Sequence, residues 1–210
     1  MKVTLRILLV IAVILLAYMC YASLMIPVRF DVEKDLREKA IIARLIDIRK
    51  AQIEYKNIHK EHAADFDLLA KFLNEEKLPF LVKEGVLTDE QLEAGMTEQE
   101  AVKKGIIRRD TMWVTAKDTL FGSDFNAEDL RNVPGAGIQF SMDTATIISS
   151  SGYVIKVFEA GVKYSDYLGD LNKQELFNLN EVAIKQNKYP GLRVGSLTEI
   201  NNNAGNWENL

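Results

Sequence analysis

Ile7-Leu-Leu-Val-Ile-Ala-Val-Ile-Leu-Leu-Ala-Tyr-Met-Cys-Tyr-Ala-Ser-Leu-Met-Ile-Pro-Val28 is the stretch on which the reading of this chain turns. It lies between Arg6 and Arg29 and holds 22 residues without a formal charge. A hydrocarbon core of about 30 Å takes about 20 such residues as a helix. The run therefore predicts a transmembrane anchor over residues 7–28. Lys2 and Arg6 precede it and no acid does, which makes residues 1–6 a cytoplasmic tip and puts the rest outside. A cleaved signal peptide is the competing reading, with an apolar region of about 7–15 residues. Ile7–Ala17 would fit, and Cys20-Tyr21-Ala22 offers a poor cleavage site. The apolar run continues through Leu24, Met25 and Ile26, which favours a retained anchor. Met19 stands where a lipoprotein needs a small residue, so Cys20 reads as an ordinary membrane residue. Pro27 predicts a helix stop or kink at Ile26, because proline pushes the preceding residue out of helical geometry.

Composition narrows what the exported part can do. The chain has 210 residues, and the length beyond the anchor suffices for one domain with its own core, or two small ones. That part carries 24 basic against 30 acidic residues. Nucleic acid is excluded as a partner on this ground, since no basic surplus exists to neutralise phosphates. Cys20 is the single cysteine, so no internal disulfide can form and stability must come from packing.

Working outward, Asp31 to about Lys60 predicts one long amphipathic helix. Ile41, Leu45, Ile48, Ala51, Tyr55 and Ile58 share a face at spacings of three and four. Ile42, Ile46 and Ile53 broaden it. Glu33, Lys34, Arg37, Glu38, Lys39, Asp47, Arg49 and Lys50 fill the opposite side, read as solvated. Asp65 is a fair N-cap for a short helix whose apolar side is Phe66, Leu69, Phe72 and Leu73, and Pro79 is expected to end that unit. Thr88-Asp-Glu-Gln91 and Thr97-Glu-Gln-Glu100 both match the capping box, with Gly95 and Gly105 placed as helix C-terminal glycines. The second half turns β-rich. Residues 112–116 alternate like a strand, and 118–134 read as loop. Strands are expected over 137–142, 144–149 and 153–159, separated by Met142-Asp143 and Ser150-Ser151-Gly152. Residues 161–190 are ambiguous, with a short helix at Lys173–Leu179, and the tail from Tyr189 is turn-rich. The fold class is α+β: a transmembrane helix over 7–28, the long helix and a short helix over 29–75, and an extracytoplasmic α+β domain with a small antiparallel sheet over 76–210. Residues 29–210 are read as one domain.

This layout resembles that of type IV pilins and the pseudopilins of type II secretion. Leu45-Ile-Asp-Ile-Arg-Lys-Ala-Gln-Ile-Glu-Tyr55, followed by Lys60-Glu-His-Ala-Ala-Asp-Phe-Asp-Leu-Leu69, looks like the pilin region where the long helix gives way to a loop and a short helix. The resemblance covers roughly residues 30–75 and the overall plan, and implies a pilin-like fold in an assembly role. The chain departs from the family at its start. Met1-Lys-Val-Thr-Leu-Arg-Ile7 has neither the cleavage glycine nor the glutamate of pilins, and the apolar run holds no carboxylate. Processing by a prepilin peptidase and the usual fibre salt bridge are thereby put in doubt. The chain is closer to a bacterial envelope protein with a pilin-like exported domain.

No catalytic residue, cofactor-binding residue or metal ligand is assigned. His59 and His62, with Glu61 and Asp65 nearby, could offer imidazole and carboxylate to zinc, but a solvated helix end accounts for them better. Thr198, Glu199, Asn201, Asn202, Asn203 and Glu208 put oxygens in a turn that would suit calcium, as in the late loop of major pseudopilins. They lack the spaced acids of a dedicated loop. Ser149-Ser-Ser-Gly152 has no nucleophile elbow around it and reads as a turn. Asp110, Asp118, Asp124 and Asp143 are scattered, and Gly135-Ala-Gly137 lacks the setting of a phosphate loop. The expectation is a non-enzymatic, single-pass protein of the inner membrane with its bulk in the periplasm. It would be a structural or assembly component of a secretion or pilus-like envelope complex, binding the membrane and protein partners, with self-association open. The alternative is a membrane-tethered periplasmic module that binds a ligand or polymer.

Overall fold

The computed structural model describes residues 2–88, 91, 95–149 and 151–208. Helix α1 runs from Lys2 to His59, 58 residues, or about 87 Å at 1.5 Å per residue. Anchor and amphipathic helix are thus one rod, and Pro27 lies inside it. The expected stop at Ile26 is not made. Proline removes one backbone donor, whereas ending a helix strands four amides and four carbonyls. With long helical runs on both sides, continuing is cheaper. α1 is long and apolar enough to cross a membrane, and the window that makes it so is wholly unburied.

The chain divides into two compact units, Met1–Phe66 with Leu130–Leu210, and Asp67–Asp129. In the first, Ile41, Leu45, Ile48 and Ala51 are fully buried as their spacing predicted, where α1 packs on the sheet. Ile53 and Ile58, expected on the same face, are exposed and Tyr55 is half-buried, because the chain turns away at the end of α1. That sheet has three antiparallel strands in the order β3-β4-β5: Ser141–Ile148, Val154–Lys163 and Gly191–Gly195. β4 is central and the most buried, with Val157, Phe158, Ala160 and Val162 in the core. β3 replaces the two strands expected over 137–142 and 144–149. Met142-Asp143 has no residue that demands a turn, and the Asp143 carboxylate merely accepts the next amide, from Thr144, at 2.7 Å. Residues 134–137 turn instead, with Gly135 and Gly137 at positive φ, inside a bridge from Asn132 to Gln139. The expected turn before β4 forms: the Ser149 amide donates to the Tyr153 carbonyl at 2.8 Å and Gly152 has φ 81°.

The ambiguous region after β4 is helical. α5 spans Tyr164–Tyr167 and α6 Lys173–Lys185, six residues beyond the expected end. Asn172 caps α6 by accepting from the Gln174 and Glu175 amides. The tail holds β5 as well as turns. Its last residues cover β5's outer edge: the Gly195 amide donates to the Ala204 carbonyl, Asn206 bonds Arg193 through both backbone and side chain, and its side-chain amide donates to the Gly191 carbonyl. An exposed ladder edge is thereby closed.

The second unit begins within α2, Phe66–Glu75, whose Leu69, Ala70, Phe72 and Leu73 are buried. Strands β1, Lys77–Glu84, and β2, Arg108–Thr115, form an antiparallel ribbon. Pro79, expected to end the helical unit, sits inside β1 opposite Trp113. A two-stranded ribbon leaves alternate amides pointing outward, so the missing donor costs no ladder bond. α3, Glu98–Lys103, carries the full Thr97/Glu100 capping box. The earlier box, Thr88–Gln91, lies partly outside the described residues; the Thr88 amide donates to Gln91 Oε1 at 3.1 Å. Residues 118–134, read as loop, contain most of α4, Ala116–Leu120, and a 3-10 turn, Ala127–Arg131.

Candidate functional site

The two histidines part company. His59 is exposed and stacks on Tyr55 with ring centroids 4.3 Å apart. His62, expected at a solvated helix end, is only 6% exposed. Gln52 on α1 pulls it in. Gln52 is fully buried; its Nε2 donates to the Ala63 carbonyl at 2.9 Å, and its Oε1 accepts from the Ala63 amide at 3.0 Å and faces His62 Nδ1 at 3.3 Å. One side-chain amide thus satisfies both backbone groups of Ala63 and folds the chain back on α1. Since Oε1 can only accept, the pairing requires Nδ1–H. Burial, with the Lys56 cation adding to it, pushes His62 down to about 4, so the ring is neutral. Glu61 turns the other way, to Lys156 at 3.1 Å. Among the described residues no three His, Cys, Asp or Glu side chains converge as a metal site.

In the C-terminal turn the charge is met from inside. Glu208 pairs with Arg49, whose guanidinium also lies 3.5 Å from the Asn203 carbonyl. The buried Ser196 hydroxyl accepts the Thr198 and Glu199 amides, and Asn202 and Asn203 have φ 53° and 60°. The Arg49 guanidinium thus lies against two of the oxygens considered for calcium, the Asn203 carbonyl and the Glu208 carboxylate. Ser149 Oγ accepts the Tyr153 amide at 3.1 Å, a turn role. Asp118, Asp124 and Asp143 each make local bonds with neighbouring residues. The Asp110 side chain lies outside the described ones.

The charged side of α1 is not uniformly solvated. Arg37 makes a forked pair with Asp170, at 2.6 and 2.8 Å, reaches the Tyr167 carbonyl at 2.7 Å, and holds Glu33 at 3.0 Å. The Arg37 hydrogen bond draws Asp170 below the usual carboxylate range. The Tyr167 hydroxyl donates to Glu38 at 3.0 Å, and burial pushes both Glu38 and Tyr167 up. Partners 130 residues apart in sequence meet here, which no local signal announces. By contrast Val28, Val32 and Leu36, four apart on α1, stand exposed at 52, 65 and 67%, and Ala40 and Ala43 extend the exposed stripe.

A cleft of about 350 Å³ opens beside β4, lined by Gln139, Ser141, Gly161, Lys163, Asp166 and Tyr189 among others. Gly161 has an ordinary φ, yet a Cβ there would come within 2.9 Å of the Leu192 carbonyl and 3.1 Å of Tyr189 Oη. Glycine is used for space: it lets Tyr189 lie down on the sheet. Arg193, anchored by Glu159 at 2.8 Å, sits over the Tyr189 ring at 5.2 Å. The cleft presents a cation, a carboxylate and hydroxyls, the means to hold a small polar molecule. The sequence offered no signal for it, since its residues come from three separate segments. No protein-family model, curated protein or solved structure matches this chain.

Proposed function

We propose that this chain is a non-enzymatic, single-pass membrane protein that works by contact, as a structural or assembly component of a bacterial envelope complex of secretion or pilus-like type. The observation that carries the reading is α1: one continuous helix whose apolar half suits a bilayer and whose exposed stripe, Val28, Val32 and Leu36, runs on beyond it. Apolar side chains at this spacing suit a partner helix lying alongside. Lys2 and Arg6 orient the amino terminus inward and the folded part outward. A photo-crosslinker at Val32 or Leu36 in intact membranes should give discrete adducts, whereas one at exposed Lys50 should give few. Equal, diffuse labelling at all three would overturn the assembly role. The cleft at Tyr189 favours a second reading, a tethered module that binds a small polar ligand. It would gain support if Gly161→Val abolished the cellular function while crosslinking through α1 was unchanged.

A further inference from the structure

At the end of the first unit from which α1 leaves toward its apolar half, the chain between β4 and β5 forms α5, the turn at Asp170 and α6. The contacts along α1 place it there. Near α1's carboxyl end Lys56 Nζ donates to the Lys156 carbonyl early in β4, at 2.8 Å. Toward the anchor Arg37 holds the Tyr167 carbonyl and Asp170, just past β4's end. β4 therefore descends toward the anchor. Lys163 at its foot pairs with Gly191 at the start of β5, and the Tyr164 amide donates to the Pro190 carbonyl at 3.0 Å. The segment that leaves and returns through this closed base is α5, the turn at Asp170 and α6.

Arg37 is nine residues past Val28, about 13 Å along the helix. The headgroup layer rises about 5–7 Å above the hydrocarbon, and a helix with its side chains reaches about 5–6 Å from its axis. A helix at this base is therefore within reach of lipid headgroups if residues 7–28 span the bilayer. α6 is built for that setting. Phe177 and Ile184, two turns apart on one side, are 59 and 58% exposed, while Ala183 faces the interior. Lys173 lies one turn before Phe177 on the same side, and Lys188 comes just after the helix end. Neither ammonium has a carboxylate in salt-bridge reach among the described residues, whereas Lys185, on the outer ridge, is paired with Glu181 at 3.3 Å. Exposed apolar side chains bracketed by unpaired cations fit an interface with acyl chains below and phosphates beside them.

We propose that α6 rests on the bilayer surface, with Phe177 and Ile184 entering the headgroup layer and Lys173 and Lys188 meeting lipid phosphates. A base seated in this way fixes the tilt of the exported unit, so that the exposed stripe of α1 meets its partner at a set angle. The proposal rests on the anchor reading above, and the native Cys20 separates the two.

The test uses the full chain in vesicles of phosphatidylethanolamine and phosphatidylglycerol, with a fluorescent thiol probe and lipids carrying a quencher near the headgroup for the exported positions or deep on the acyl chain for Cys20. The probe is placed on native Cys20, or on Phe177→Cys or Ile184→Cys in a Cys20→Ser background, with Tyr153→Cys as a control at the far end of the sheet. Quenching at 177 and 184 several times stronger than at 153, weakened by the double change Lys173→Glu and Lys188→Glu, is the expected result. Quenching at Cys20 with none at 177 and 184 overturns the seat on the bilayer and leaves the anchor standing. Shielding of 177 and 184 from a water-soluble quencher without quenching by lipid also overturns it, in favour of a protein covering α6. Loss of quenching at Cys20 itself removes the anchor reading and the proposal together.

Discussion

Gln52→Leu is the sharpest perturbation of this fold. Gln52 is fully buried, and its amide is the partner of the Ala63 amide and carbonyl and of His62 Nδ1. Leucine fills similar space but bonds none of them. Each buried backbone group left unpaired costs about 1–3 kcal/mol, and two are left here, with an imidazole N–H besides. Added apolar burial offsets about 1.5–3 kcal/mol of this. The net loss is about 2–4 kcal/mol on these magnitudes. At about 2–4 °C per kcal/mol for a chain of this size, the midpoint should fall by about 4–16 °C. Trp207 belongs to the same unit, so its fluorescence is a fitting probe. Thermal unfolding of the full chain in mild detergent, in a Trp113→Phe background, reads it. Gln52→Glu keeps the acceptor oxygen and, when its carboxyl is protonated, a donor for the Ala63 carbonyl, so its loss should be smaller toward acid pH than at neutral pH, where a buried carboxylate would face that carbonyl. A midpoint for Gln52→Leu indistinguishable from that of the parent would mean that Ala63 finds other partners and that the loop is not held by this side chain.

His62 makes stability depend on pH. Its folded value of about 4 lies below the ordinary 6.5, so between the two the unfolded chain takes up a proton that the folded chain does not. Stability is complete above about pH 6.5 and falls toward pH 4, by up to about 3 kcal/mol at 1.36 kcal/mol per pH unit. His62→Asn, which can still donate to Gln52, should flatten that slope in urea titrations at both pH values, and parallel slopes would refute the assignment. Leu45→Ala and Ile48→Ala, both fully buried, should each cost about 2–5 kcal/mol, against about 0.5 or less for the exposed Lys50→Ala. Gly161→Ala, whose Cβ would meet the Leu192 carbonyl and Arg193 Cβ at 2.9 Å, should cost about 1–3 kcal/mol and shift Tyr189. A change of under about 0.5 kcal/mol in denaturant titration would show that the strands yield.

What the chain declares by itself is what neighbours in sequence decide. A 22-residue uncharged run and a three-four apolar spacing specify α1 and its buried face, because helical contacts are made within one or two turns. Thr97 and Glu100 announce a helix start for the same reason, and Ser149–Tyr153 announces a turn. Tertiary structure alone decided the rest. Pro27 stays helical because the helix around it is long, and Pro79 enters a strand because its ribbon has free outer amides. β5 is a strand because β4 and the tail lie on either side of it. Gln52 and His62 look like surface residues until a loop folds over them. Arg37 belongs to a solvated stripe until Asp170 and Tyr167 arrive from 130 and more residues away. Burial and hydrogen-bond partnership are properties of a closed chain, and spacing along an open one carries no record of which distant group will supply the missing donor or acceptor.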